Sequence, residues 1–230
     1  MRGLPSIVQK GALVGQPALR KIRVWDLPVR LFHWALPVLM TVLFLSAYAG
    51  QMQVHARMGT VTLVLVLFRL VWGFVGSQTA RFSDFVTGIG GIHDYLSGKR
   101  PKTTGHNPLG AWMILAMLAT LLIQSLSGLF SSDSIAFDGP LAHWIGHTAA
   151  NLAARVHTNL AYAIDILIAV HVLAVVLHWA LRGENLIMPM LSGNKHVPAD
   201  VGQPAFSNPA LALTILVLIA LLIAAVALAE

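Results

Sequence analysis

The chain of 230 residues contains no cysteine. That absence excludes disulfides, thiolate-bound zinc, cysteine-ligated iron–sulfur clusters and covalent haem attachment through a C-x-x-C-H motif. Any metal or cofactor must be held by His, Met or oxygen ligands. Charge is scarce as well. Asp, Glu, Lys and Arg make up 10% of the residues, 57% are hydrophobic, and the mean hydropathy is +0.74. So few charges do not cover the surface of a soluble domain. Ahead of Trp25 no apolar run resembles the core of a secretory signal. The basic start, with Arg2, Lys10, Arg20, Lys21 and Arg23, therefore reads as a loosely ordered cytoplasmic tail.

The apolar residues that are present come in long runs. A helix needs about 20 of them to cross a hydrocarbon core roughly 30 Å thick. Five runs meet that need, at about 28–49, 55–75, 108–130, 149–181 and 210–229. Pro28 suits a helix start, Pro37 lies inside the first run, and Asn107 is placed to cap the third. The reading is an all-α membrane protein: an up-and-down four-helix transmembrane bundle plus a fifth C-terminal transmembrane helix. Its parts are a basic cytoplasmic tail (1–27), the four-helix domain (28–182), a cytoplasmic linker (183–208) and the extra helix (209–230).

Lys and Arg set the orientation. With the N-terminus inside, twelve fall on the cytoplasmic side: Arg2, Lys10, Arg20, Lys21, Arg23, Arg30, Arg81, Lys99, Arg100, Lys102, Arg182 and Lys195. Only Arg57 and Arg155 fall outside, and Arg69 lies within the second span. The split accounts for most of the net charge of +6. Anionic lipid head groups suffice as partners for these cations, and no nucleic acid need be invoked.

Ionisable groups within spans suggest function. His157 and His171 stand 14 residues apart on the fourth span, nearly on one face and about 21 Å apart along the axis. The N-inside topology puts His33 at the inner level with His171, and His55 at the outer level with His157. Two imidazoles can hold one iron from opposite faces of a porphyrin, so the pattern supports two stacked b-type haems. Other readings stay open. The histidines would also serve as interfacial residues or interhelical hydrogen-bond partners, or line a metal or proton path. That path would call for acidic partners, and Asp165 is the one acid well inside a span. His178, seven residues past His171, rivals it as the inner ligand. His143 and His147 have metal-compatible spacing, but in an outer loop without a third ligand an ordinary polar or amphipathic helix explains them better. His93, His106 and His196 read as solvent-facing. Arg30, Arg57, Arg69 and Arg155 lie near the histidines as candidate haem-propionate partners.

With these residues in hand, the sequence resembles the bacterial cytochrome b561 family, which is related to the b-type cytochrome subunits of membrane hydrogenases. The resemblance rests on VWDLPVRLFHW around His33, HARMGTVTLVLVLFRLVWGFVGS around His55, ARFSDF, GHNPLGAWM, SGLFSSD, the His157/His171 spacing and RGENLIMPMLSGNK. It implies a bacterial inner-membrane bundle with two bis-histidine b haems, ligated by His33, His55, His157 and His171. It also implies electron transfer between the quinone pool and a redox partner, either free-standing or as the membrane subunit of a larger oxidoreductase. The alternative activities are oxidation of a small species such as superoxide at the outer haem, and, from a different class, a non-redox metal or proton transporter. The fifth helix departs from the four-span family core, and is expected to serve as a docking or oligomer surface.

Overall fold

A computed structural model describes residues 19–99, 105–132 and 137–228. The chain begins there with strand β1 (Leu19–Arg23) and turns into α1 (Leu27–Tyr48), which pairs with α2 (Met52–Val75) across a short turn. Two short helices, α3 (Phe82–Phe85) and α4 (Ile89–Leu96), lead to α5 (Pro108–Phe130). The 36-residue α6 (His147–Arg182) follows, then α7 (Ile187–Ser192), β2 (Asn194–Pro198) and α8 (Pro209–Ala227). Among the described residues, α1, α2, α5, α6 and α8 are long and apolar enough to cross a membrane.

The helix starts follow from local chemistry. Asp26 caps α1 by accepting from the Val29 N–H at 2.8 Å, with Pro28 in the first turn. Asn107 caps α5 through the Gly110 N–H at 2.7 Å, and Asn208 caps α8 through Ala210 at 2.9 Å. α6 ends at Gly183, whose φ of +65° suits a residue without Cβ.

Packing runs α1 on α2, α2 on α5 and α5 on α6. Val66, Leu121 and Ile164 form a buried apolar layer at mid-height, with Leu36, Met40, Leu70, Leu122 and Ile168 around it. α8 lies against α2, with Ala212, Ile215, Leu216 and Ile219 packed on Val29, Phe68 and Trp72. One face of the fifth helix is thus occupied within the chain, and Leu213, Leu218 and Leu221 on its other side remain exposed.

The ends of the chain depart from the sequence expectation. Residues 1–18 lie outside the described residues, but 19–23 are not loose. β1 pairs antiparallel with β2, from Leu19 opposite Pro198 to Arg23 opposite Asn194. Ile22, Val24, Trp25 and Val197 bury a small core beneath the ribbon. Gly193, at φ +81°, turns α7 so that its carbonyl accepts from Val24 (2.8 Å) and Trp25 (3.1 Å). The stretch 183–208 is therefore structured over α7 and β2 rather than being a plain linker.

Candidate functional site

The bundle brings the four span histidines together in two pairs. The rings of His33 (α1) and His171 (α6) have centroids 6.3 Å apart, and those of His55 (α2) and His157 (α6) have centroids 5.9 Å apart. The buried layer around Ile164 lies between the pairs, seven residues from each α6 histidine. Among the described residues no cluster of three or more metal-ligating side chains exists, so neither pair has a third such side chain beside it.

At the His55–His157 pair both tautomers are set by the backbone. His55 Nδ1 donates to the Leu43 carbonyl at 3.0 Å, and His157 Nδ1 donates to the Gln124 carbonyl at 2.9 Å. Each bond leaves Nε2 as the unprotonated nitrogen, the usual way a coordinating imidazole is oriented, although at His157 it accepts from the Gln124 side-chain amide. The Gln124 side-chain nitrogen stands 3.4 Å from His157 Nε2, and its Oε1 is buried without a hydrogen-bond partner. Gly128 lies under the His157 ring, where a Cβ would come within 2.7 Å of Cε1.

The His33–His171 pair is less supported. His33 Nδ1 is buried with no hydrogen-bond partner, and the ring sits edge-on to Trp34 at 5.0 Å. Close by, Arg69 is 2% exposed, its Nη1 has no hydrogen-bond partner, and its guanidinium lies over the Phe82 ring at 5.3 Å. Asp26 is equally buried and accepts from the Trp72 indole at 2.9 Å.

The other sequence candidates are placed as follows. Arg30 donates to the carbonyls of Met190 (3.3 Å) and Leu191, which spends its donors on clamping α7. Arg57 and Arg155 are exposed, and each sits two positions from its histidine. That offset points a helical side chain to nearly the opposite face. His178 turns away to Glu184, with its Nε2 3.2 Å from Oε2, and does not meet His33. Glu184 also takes Lys195 of β2 at 2.5 Å. Burial opposes ionisation of Glu184, but the hydrogen bonds from Lys195 and His178 prevail and hold its carboxyl below the usual range. His143 and His147 are separated by the break at Ile145–Gly146 and are both exposed.

His106 corrects the sequence reading. It does not face solvent but packs between the rings of Trp25 (4.4 Å) and Phe85 (4.6 Å). Burial pushes its pKa down to about 3, with Arg69 and His33 adding to the shift. The signal for it was present in the sequence as GHNP, but nothing local says that Trp25 and Phe85 close over this loop.

The model of the prokaryotic cytochrome b561 family matches residues 24–193, a stretch that holds both imidazole pairs. The chain belongs to that family. It is a b-type cytochrome of membrane electron transfer, and its cofactor class is haem b. A similar protein is the "Probable Ni/Fe-hydrogenase B-type cytochrome subunit" of Rhizobium leguminosarum bv. viciae. It is 24% identical over 221 residues, which cover 79% of this chain and 92% of the relative. No solved structure gives a significant match. The cytochrome's α8 lies beyond the matched residues.

The donor set fits haem. Imidazole nitrogens bind metals at about 2.0–2.1 Å, so two imidazoles on opposite sides of one metal ion have ring centroids roughly 6 Å apart. Both pairs stand at that separation. The orphaned Nη1 of Arg69 and Nδ1 of His33 are buried polar atoms of the kind that a carboxylate-bearing cofactor would satisfy.

Proposed function

We propose that this cytochrome carries electrons across the membrane using two b haems, one held by His33 and His171 and the other by His55 and His157. The observation that carries this reading is the pair of centroid separations, 6.3 Å and 5.9 Å, each spanning two different helices. Haem b, when bound, supplies a one-electron ferric/ferrous couple.

The chain's own residues do the rest. His55 and His157 are held in one tautomer by the Leu43 and Gln124 carbonyls, which raises the basicity of the ligating nitrogens. The Val66, Leu121 and Ile164 layer keeps water from joining the two levels, so the path between them suits electrons and not protons. Arg69 offers a buried cation to a propionate at the inner level, because it follows His55 by 14 residues on the same face of α2. Arg57 and Arg155 face the surface and are left out of that role.

The Lys and Arg split supports an N-terminus on the cytoplasmic side, with His33 and His171 at the inner level. We assign the quinone pool as one redox partner and a protein subunit as the other. The Rhizobium relative's printed name as a hydrogenase subunit supports the second.

The purified protein should show a Soret band and reduced α-bands, and a pyridine haemochrome assay should give two b haems per chain. One haem per chain would remove one level of the proposal, and none would remove the proposal altogether.

A further inference from the structure

The exposed flank of α6 carries polar groups that no described residue covers. Asp165 lies eight residues past His157 and six before His171, which puts it about 12 Å and 9 Å from them along the axis. That is close to the middle of the span. The side chain is exposed, and it forms no hydrogen bond or ion pair with any described residue. Tyr162, one turn away, is 66% exposed. Thr158 and Arg155 continue the line toward the start of α6, both exposed. At about 100° per residue, positions 155, 158, 162 and 165 fall within an arc of about 80°. His157 and His171 point elsewhere on the same helix.

Lipid does not suit this flank. A carboxyl at mid-depth, ionised or protonated, has polar atoms that hydrocarbon leaves unsatisfied, and acids in spans almost always face protein or water. Among the described residues none covers the flank. α5 packs on another side of α6, and α8 packs on α2. A second copy inserted in the same orientation would set Asp165 against Asp165, like against like. Charge complementarity favours a cation.

The geometry points to this flank as the docking face for one transmembrane helix of another chain, presenting a Lys, Arg or His at the depth of Asp165. Tyr162 adds an interhelical hydrogen bond above it, the Thr158 hydroxyl, which donates to the Ala154 carbonyl at 3.0 Å, offers an acceptor, and Arg155 reaches the partner's end at the membrane surface. The inference goes beyond electron transfer and does not depend on the number of haems.

The test uses the full-length haem-loaded chain in liposomes. Because the protein has no cysteine, His93→Cys at an exposed position of α4 takes a single fluorescent label. Synthetic Leu/Ala transmembrane peptides carrying a central Arg, Leu or Asp bear the acceptor dye. Energy transfer should show the Arg peptide binding roughly tenfold tighter than the Leu peptide, the size expected for buried interhelical polar contacts. Asp165→Leu should abolish that preference, and Asp165→Lys should transfer it to the Asp peptide. The haem spectrum of the same liposomes reports folding and the electron-transfer site separately. Equal binding of the Arg and Leu peptides, a preference that survives Asp165→Leu, or self-association of the chain that requires Asp165 would each overturn the proposal.

Discussion

The imidazole of His157 occupies the space over Gly128 that any side chain there would claim, with its Cε1 2.7 Å from the position of a Cβ. The glycine on α5 is thus a seat for the histidine on α6. Gly128→Ala should push the ring off its bond to the Gln124 carbonyl and weaken the outer level alone. Haemochrome titration should then fall from two haems toward one, with the inner signal unchanged.

Asp26 joins two parts of the structure around His33. Its carboxylate caps α1, the helix that carries His33, and also holds the Trp72 indole of α2. Asp26→Ala removes the cap and leaves a buried N–H without an acceptor, a loss of about 2–4 kcal/mol together. Thermal unfolding in detergent should show a lowered Tm. Asp26→Asn, which keeps an acceptor oxygen, should recover part of it.

The Glu184 carboxyl ties the end of α6 to the β ribbon through Lys195. Its folded-state pKa is depressed below the ordinary 4.5. A depressed acid contributes stability above its unfolded pKa and loses it as pH falls through the folded one. Protection factors at Leu19–Arg23 and Asn194–Pro198, taken from hydrogen exchange corrected for its intrinsic pH dependence, should therefore be high at pH 6 and fall as the pH drops below about 4.5. Glu184→Gln should make the ribbon exchange faster at pH 6 and flatten that dependence. Unchanged exchange in the variant would count against the tie.

The membrane helices were legible in the sequence because hydrocarbon demands a run of fixed length. The expected span at 108–130 coincides with α5, and the others differ from the structure by one to three residues at most ends. The paired depths of His33 with His171 and of His55 with His157 were legible for the same reason, since helical rise converts residue count into height. What was missed depends on contacts remote in the chain. β1 is five residues long and finds its partner some 175 positions away, so no local period announces it. His106 looked solvent-facing because the rings of Trp25 and Phe85 that enclose it come from separate segments. Arg30 looked like a candidate propionate partner by its spacing from His33, but the carbonyls at the end of α7 claim it instead. Docking was expected of the fifth helix because that helix was surplus to the bundle. One face of α8 is already spent on α2, while α6 carries the uncovered acid.

The pairing of histidines across helices is the central claim, and the haem signals of four single variants test it most directly. Low-temperature electron paramagnetic resonance of the oxidised protein should resolve two low-spin haems. His33→Ala and His171→Ala should remove the same signal, and His55→Ala and His157→Ala should remove the other, leaving one haem per chain in each case. Loss of the same signal in His33→Ala and His157→Ala, or retention of both signals in any of the four, would contradict the account.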